Sequence, residues 1–462
     1  MFRLNKDTPM TEALLTEFLN EHAAEVENRF KKLLAAYESD HDILHQDPKP
    51  NNKPDNRIVV NFPKYIVDTM NGFFIGNPIK VTADEDAVAE YVEYLDQYND
   101  QDDNNAELSK IMSIYGKGYE MYFTDEEAAQ CITYLTPIEA FMIFDDSILE
   151  RPLYFVRRYT DRDKIEWGSI SNEYGVRYFK ITGGVQWLAP EGKESEIRDG
   201  WKLHYFPGVP ATEYIENAEK QGIFEPVLSM VNAYNKAFSE KANDVDYFAD
   251  AYLKILGALL DENQLKHIRD NRIINFEGTD IEKLIVEFMD KPDGDSTQEH
   301  LLDRLEKLIF HISMVANISD ENFGAASGIA LKYKLQAMSN LEKTKERKFT
   351  SGMNRRYKLL FGHPSSKVQK DAWVQLHYTY TPNFPANLLE EVQIAAQMEG
   401  ITSHETQLKV ISAVDDVQGE LEKIEEENKA AEQTVVDQMM FAHVDGFRDN
   451  TQPGETENEQ QQ

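Results

Sequence analysis

Cysteine is almost missing from this chain: Cys131 is the only one in 462 residues. No intrachain disulfide can form, which excludes a disulfide-stapled secreted scaffold and a cysteine-rich zinc module and makes a reducing cytoplasm the expected place of synthesis. Long apolar runs are missing too. The best candidate, Met70-Asn-Gly-Phe-Phe-Ile-Gly-Asn-Pro78, is broken by glycine, asparagine and proline, well short of the ~20 residues that cross a bilayer. Met1-Phe-Arg-Leu-Asn-Lys-Asp7 has no apolar stretch of the kind a signal peptide needs, and no membrane association is expected. Positive charge is scarce: 48 Lys and Arg face 82 Asp and Glu, for a net charge of −34. That balance argues against a protein that coats nucleic acid, because neutralising phosphates takes clustered Lys and Arg. Two readings of the acidity remain, colloidal solubility and a surface that lets a polyanion pass without gripping it.

Motifs of catalysis are absent as well. No G-x-x-x-x-G-K-[ST] occurs, which argues against a P-loop ATPase, and there is neither a G-x-S-x-G elbow nor an H-E-x-x-H. Gly116-Lys-Gly118 reads as a turn. Asp96-Gln-Tyr-Asn-Asp-Gln-Asp-Asp-Asn-Asn105 lacks the glycine and final glutamate of a calcium loop and reads as a helix–helix junction. Asp145-Asp146 could be imagined as nuclease metal ligands, but no third carboxylate stands at a recognisable spacing and a turn fits better. His300 and His311 fall on a similar face of one expected helix, where packing is the better reading than a metal. No catalytic residue, metal or cofactor is expected.

What is present suits a large globular protein: 41% hydrophobic and 28% charged residues over a length that allows two to four domains. Residues 8–38 carry Leu14, Leu15, Phe18, Leu19, Val26, Phe30, Leu33 and Leu34 at helical spacing, starting at Thr8-Pro9. After a three-proline linker (47–56), Asn61 should cap a helix whose apolar face is Ile66, Val67, Met70, Phe73 and Phe74. Helices are expected at 84–100 and 104–116. From Tyr119 to Trp201, short alternating β-branched and aromatic runs predict an antiparallel meander. The N-terminal half is thus α+β, and the remainder is mainly helical. Pro226–Leu260 reads as one long helix. A small α/β insert follows at 261–296, with strands expected at 272–276 and 284–288. A second helix covers 297–317, a strand 373–380, and three short helices 386–399, 403–413 and 416–432. Residues 451–462 have the composition of a disordered segment.

The most informative stretch lies between these parts. A short loop, Ser319-Asp320-Glu321-Asn322-Phe323-Gly324-Ala325-Ala326-Ser327, leads into a helix from Gly328 to about Leu360. That helix, roughly 50 Å long at ~1.5 Å per residue, carries Lys332, Lys334, Lys343, Lys345, Arg347, Lys348, Arg355, Arg356 and Lys358 against only Glu342 and Glu346. Its cations wrap much of the circumference instead of forming one stripe. Packing against acidic subunits or domains suits this best. Nucleic-acid contact and plain solvation are the alternatives.

The order of parts resembles the portal proteins of tailed bacteriophages, in the branch common among long-tailed phages of Gram-positive hosts. The resemblance rests on Arg57-Ile-Val-Val-Asn-Phe-Pro-Lys-Tyr-Ile-Val-Asp-Thr-Met-Asn-Gly-Phe-Phe-Ile-Gly-Asn-Pro78 together with Tyr115-Gly-Lys-Gly-Tyr119. Leu135-Thr-Pro-Ile-Glu-Ala140, Tyr205-Phe-Pro-Gly-Val-Pro210, Ser327-Gly-Ile-Ala-Leu-Lys-Tyr333, Pro382-Asn-Phe-Pro-Ala-Asn387 and Gly400-Ile-Thr-Ser403 also carry it. It implies a dodecameric ring at one capsid vertex through which double-stranded DNA is packaged and ejected. The implied partners are a terminase, a head-completion adaptor, and capsid and scaffolding proteins, with no enzymatic role for the ring itself. The implied fold is α+β, mainly helical, with a wing (1–225), a two-helix stem (226–260 and 297–317), a clip insert (261–296) and a channel loop (318–327). The long basic helix and strand (328–382) return to the wing, crown helices follow (383–432), and an acidic tail (433–462) ends the chain. In that frame Ser319–Ser327 face the DNA, with Asp320 and Glu321 repelling phosphate. The competing classes are a nuclease-like packaging enzyme, which would need a carboxylate metal cluster, and a monomeric helical scaffold.

Overall fold

A computed structural model describes residues 2–50, 53–249, 253–256, 285–288, 295–318, 328–383, 388–411, 413–414 and 417–430. Strand β1 (Phe2–Leu4) precedes a rod made of α1 (Glu12–Glu25), one π-helical turn (Val26–Phe30) and α2 (Lys31–Tyr37). The helix begins at Thr11, not at Thr8-Pro9: Thr11 Oγ1 accepts from Leu14 N at 3.2 Å. The Thr8 N–H instead closes a turn on the Asn5 carbonyl at 3.0 Å. Helix α3 (Phe62–Ile75) follows the linker, and Asn61 caps it as expected, its Oδ1 accepting from Lys64 N at 2.8 Å. The apolar face foreseen for α3 is buried.

Strand β2 (Lys80–Ala83) leads to α4 (Asp86–Tyr98) and α5 (Gln101–Tyr115), joined by the acidic junction at Asn99-Asp100. Gly116 ends α5 with φ of 82°, and a Cβ there would stand 2.1 Å from the Lys220 carbonyl oxygen, so only glycine fits. The meander is then laid down as β3 (Lys117–Thr124), β4 (Gln130–Leu135), β5 (Ala140–Asp145), β6 (Pro152–Thr160), β7 (Glu166–Ser171), β8 (Gly175–Ile181), β9 (Val185–Trp187), β10 (Ile197–Arg198), β11 (Trp201–Leu203) and β12 (Ala211–Ile215). Asp145 closes β5 in a turn, accepting at Oδ1 from Ser147 Oγ and from Arg151 N, both at 2.8 Å.

Two sheets result. An eight-stranded sheet runs β1-β5-β6-β7-β8-β11-β10, with β9 on β8. Its members pair antiparallel except β1, which lies parallel to β5. A three-stranded sheet runs β12-β3-β4. Because β5 is apolar at successive positions, it can be covered on both faces. One face (Phe141, Ile143) packs under α1 with Leu15, Phe18, Leu19, Val156, Ile170 and Phe179. The other (Ala140, Met142, Phe144) packs on Tyr119, Leu135 and Ala211 of the three-stranded sheet.

The long helix expected at 226–260 is shorter. A 3-10 turn (Glu225–Val227) opens α6 (Leu228–Ala249), and Leu253-Lys-Ile-Leu256 is strand β13. It pairs antiparallel with β14 (Ile285–Phe288), in register Leu253 to Phe288. An apolar run fits either period, and here a distant partner decides. The strand expected at 272–276 lies outside the described residues. Helix α7 (Asp295–Ser313) runs opposite to α6 along its side: Gln298 Nε2 donates to Asp244 Oδ2 at 3.3 Å, and Phe62 wedges its ring between Tyr234 and Phe310. His300 and His311 on α7 are exposed within the subunit, not packed. Helix α8 (Gly328–Phe361) is the basic helix. The expected strand at 373–380 opens as a 3-10 turn (Ala372–Gln375) and narrows to β15 (Leu376–Thr379), which pairs with β2. Short helices α9 (Leu388–Gln397), α10 (His404–Leu408) and 417–430 follow, with Ser403 capping α10. The described residues fall into two compact units, one of residues up to 318 with 333–383, the other of 328–332 with 388–430.

Inside the first core, His22 is fully buried, its Nε2 donating to the Pro137 carbonyl at 2.8 Å and its ring 4.6 Å from Phe141. Burial lowers its pKa to about 4 against the opposing pull of the Pro137 carbonyl. The folded state therefore binds the proton less readily than the unfolded chain. Stability carried by neutral His22 is complete above its unfolded pKa of ~6.5 and is lost as pH falls toward 4, by about 3 kcal/mol in all. Urea midpoints measured across that interval should fall less steeply for His22→Gln than for the unsubstituted protein. Parallel curves would contradict this account of His22.

Candidate functional site

Helix α8 presents an inward stripe at helical spacing: Lys345, Phe349, Gly352, Arg356 and Leu360, all buried. Two of the nine cations sit on it, 11 residues and about three turns apart. Arg356 is fully buried and grips Glu120 of β3 bidentately, Nε to Oε2 at 2.9 Å and Nη2 to Oε1 at 2.6 Å, while Nη2 also donates to Asn105 Oδ1 at 2.6 Å. The remaining capacity of Glu120 is filled by the Tyr214 hydroxyl at 2.8 Å, the Tyr122 hydroxyl at 2.9 Å and Gln101 Nε2 at 3.2 Å. Burial, and next to it the Glu120 charge in Tyr122 or the Arg356 charge working the other way in Tyr214, leave both phenols with pKa well above the usual value. They therefore stay protonated and keep donating.

Three turns earlier, the fully buried Lys345 repeats the arrangement. Its Nζ lies 2.9 Å from Glu216 Oε2 and donates to the Ser109 carbonyl at 3.0 Å and Ser113 Oγ at 2.5 Å, while both Glu216 oxygens are buried with no hydrogen-bond partner and are compensated by the charge of Lys345 alone. Burial lowers the lysine pKa and Glu216 opposes the shift. Arg355, half-buried, donates from Nε to the Ala211 carbonyl at 3.1 Å and from Nη2 to the Val209 carbonyl at 3.2 Å, holding the start of β12. Between the two ion pairs the helix is pressed close: a Cβ on Gly352 would stand 2.2 Å from the Tyr214 ring. Basic residues of α8 thus lock the helix onto the β12-β3-β4 sheet and α5. Lys345 and Arg356 are spent within the subunit and offer nothing to DNA or to a neighbouring copy.

The other cations behave differently. Lys343 is exposed and bound to Glu346 at 2.6 Å, with Glu342 at 3.5 Å. Arg347 is exposed, with Nη2 donating to Thr344 Oγ1 at 3.4 Å, and Lys348 is half-buried. Lys334 is exposed, and Lys358 holds its ammonium 5.9 Å over the Trp373 ring. The side chain of Lys332 lies outside the described residues, as does the whole of Ser319–Ser327. The lead-in to that loop is anchored, since Ile318 N donates to the Tyr65 hydroxyl at 2.8 Å and Asn317 Nδ2 to Glu306 Oε1 at 3.2 Å. Sequence reasoning missed Glu120 and Glu216. The available signal was a carboxylate set in a run of buried aromatics, Tyr119-Glu-Met-Tyr122 and Tyr214-Ile-Glu216, which demands a buried cation.

Among the described residues no group of three or more His, Cys, Asp or Glu is placed to hold a metal ion. In the same residues no helix is long and apolar enough to cross a membrane. The sequence profile described as phage portal protein, SPP1 Gp6-like, matches residues 16–434. The chain belongs to the phage portal protein family, the virion component at the head-tail connection. The portal protein of Clostridium phage phiCD119 is 26% identical over 407 residues, covering 84% of this chain and 88% of that one. The portal protein of Bacillus phage SPP1 is 25% identical over 429 residues, covering 88% and 82%. Among solved structures, a chain from the neck of an empty GTA particle is similar at a TM-score of 0.42 and 11% identity, covering 75% of this chain and 89% of that one. That likeness is too slight to build on.

Removing one member of a buried ion pair leaves the other charge without compensation, whereas replacing both with apolar groups is often neutral. Glu120→Ala should therefore lower subunit stability by about 3–5 kcal/mol, and the double change Glu120→Leu with Arg356→Met should recover the part due to the uncompensated guanidinium but not the part due to the Tyr214 and Gln101 donors left without their acceptor. Urea unfolding of the three proteins measures this. A loss from Glu120→Ala below about 1 kcal/mol would show that the pair does not hold the helix.

Proposed function

We propose that this portal protein assembles as a dodecameric ring through which double-stranded DNA passes during packaging and ejection, and that Ser319–Ser327 form the loop that meets the moving DNA. The observation that carries the reading is the family match across residues 16–434. The paired α6 and α7 suit a two-helix stem, the antiparallel β13–β14 pair between them in sequence suits a clip, and the N-terminal sheets with α8 suit a wing. The helices of 388–430 suit a crown. The anchored Ile318 on one side and Gly328 at the start of α8 on the other frame the loop with ordered structure. Asp320 and Glu321 would push phosphate away, and the small Gly324, Ala325, Ala326 and Ser327 would let neighbouring loops crowd together. A channel of this kind guides DNA without gripping it, so ATP hydrolysis falls to a separate terminase, with a head-completion adaptor and capsid and scaffolding proteins as further partners.

Deleting 319–327 should leave ring assembly intact and cut DNA packaging by at least about tenfold. Packaging at the unsubstituted level, or loss of assembly itself, would contradict the placement of this loop. The isolated protein given Mg²⁺, ATP and linear DNA should neither hydrolyse nucleotide nor cleave DNA. Robust turnover would favour a packaging enzyme.

A further inference from the structure

A closed ring of identical subunits is built from heterologous contacts, so each subunit must carry two unlike patches that complement each other. Copies of a chain with net charge −34 repel one another, and a contact between them needs local attraction strong enough to overcome that repulsion. Two features of the first compact unit supply opposite halves of one.

The acidic half is an open groove of about 890 Å³ between α4, the start of α5 and residues 78–81. Asp86, Glu90 and Glu93 line it from one face of α4 and Asp100, Asp102 and Asp103 from the start of α5, against a single lining cation, Lys80, which has a partner of its own. Like charges three and four residues apart on a helix destabilise it, so this stacking is not explained by the needs of α4. A second observation points to a missing donor. Gln101, 1% exposed, lines the same groove, and its Nε2 is turned to Asn105 and Glu120 while its Oε1 is buried with no hydrogen-bond partner. Asp96 on the wall is also short of positive charge: burial, ahead of the opposing pull of Arg356, raises its pKa to about 6. A guanidinium or ammonium entering the groove would satisfy the amide oxygen and stabilise the ionised carboxyl.

The basic half is on α8. Once Lys345 and Arg356 are taken inward and Lys343 is paired, Arg347 and Lys348 stand one after the other with no carboxylate partner among the described residues. We propose that the acidic groove of α4 and α5 receives Arg347 and Lys348 of a second copy of this chain, and that this contact closes the ring. The proposal rests on the ring reading above and assigns its subunit contact.

Charge exchange tests it in the full-length protein. Glu93→Lys with Asp102→Lys reverses two exposed groove residues, and Arg347→Glu with Lys348→Glu reverses the other side. Each pair alone should convert rings to monomers in mass photometry at low salt. All four changes together should restore rings to at least half the unsubstituted level. Milder Glu93→Gln with Asp102→Asn should leave rings whose dissociation responds less to added salt, because fewer charges are screened. Circular dichroism melts separate loss of contact from loss of fold. Rings that persist in both reversal pairs would overturn the assignment, as would a fourfold variant that folds but stays monomeric. So would rings that require Mg²⁺ at the groove carboxylates independently of Arg347 and Lys348. If the unsubstituted protein forms no rings at all, the ring reading fails; if it does and the reversals change nothing, only the groove assignment fails.

Discussion

The buried pair of Arg356 and Glu120 is the interaction on which the arrangement of this subunit depends. Two charges with almost no exposure are tolerable only when nearly all their lone pairs and protons find partners; Tyr214, Tyr122, Asn105 and Gln101 supply them, and only Arg356 Nη1 is left without one. Those partners come from α5, β3 and β12, so satisfying one carboxylate brings three elements against the long helix. The Lys345–Glu216 pair repeats the requirement three turns away. Two such pairs set both the rotation and the axial position of α8, because sliding the helix by one residue would bury two uncompensated cations. Apolar contacts such as Phe349 on Phe74 and Tyr214 add area but would tolerate more slippage.

Fixing α8 in this way has consequences at both of its ends. The helix leaves from Gly328, directly after the loop expected to face DNA, and its position is dictated by contacts far along the chain. A loop that meets a moving polymer benefits from a rigid mount, and the same ion pairs keep Lys345 and Arg356 out of reach of phosphate. The acidity of the chain then has a use beyond solubility. Outward negative charge keeps copies apart until a few unpaired cations find the groove between α4 and α5.

Much of this fold was legible from pattern alone. Asn61 and the apolar face behind it announced α3, the alternation between Tyr119 and Trp201 announced the meander, and the limits of α8 were read to within one residue. What failed was non-local. Leu253-Lys-Ile-Leu256 continued a helical pattern until its pairing with Ile285–Phe288 made it a strand. The parallel addition of Phe2–Leu4 to β5 left no local trace. The cations of α8 were seen, but their roles were not: Arg356 and Glu120 are 236 residues apart, and charge counts are blind to which side of a helix a distant carboxylate will approach. Asp145-Asp146, by contrast, is governed by neighbours and reads correctly as a turn, whereas of Gly116-Lys-Gly118, also expected to be a turn, only Gly116 lies between α5 and β3, and Lys117 and Gly118 open the strand.

A cryo-EM reconstruction of the assembled protein tests the central claim most directly, because it shows at once which groups of α8 face inward, which face a neighbour and which face the channel. The account predicts a ring with residues 319–327 at the channel wall and Lys345 and Arg356 still paired with Glu216 and Glu120 inside each subunit. A ring in which Lys345 or Arg356 lines the channel, or in which 319–327 lie on the outer surface, would contradict it.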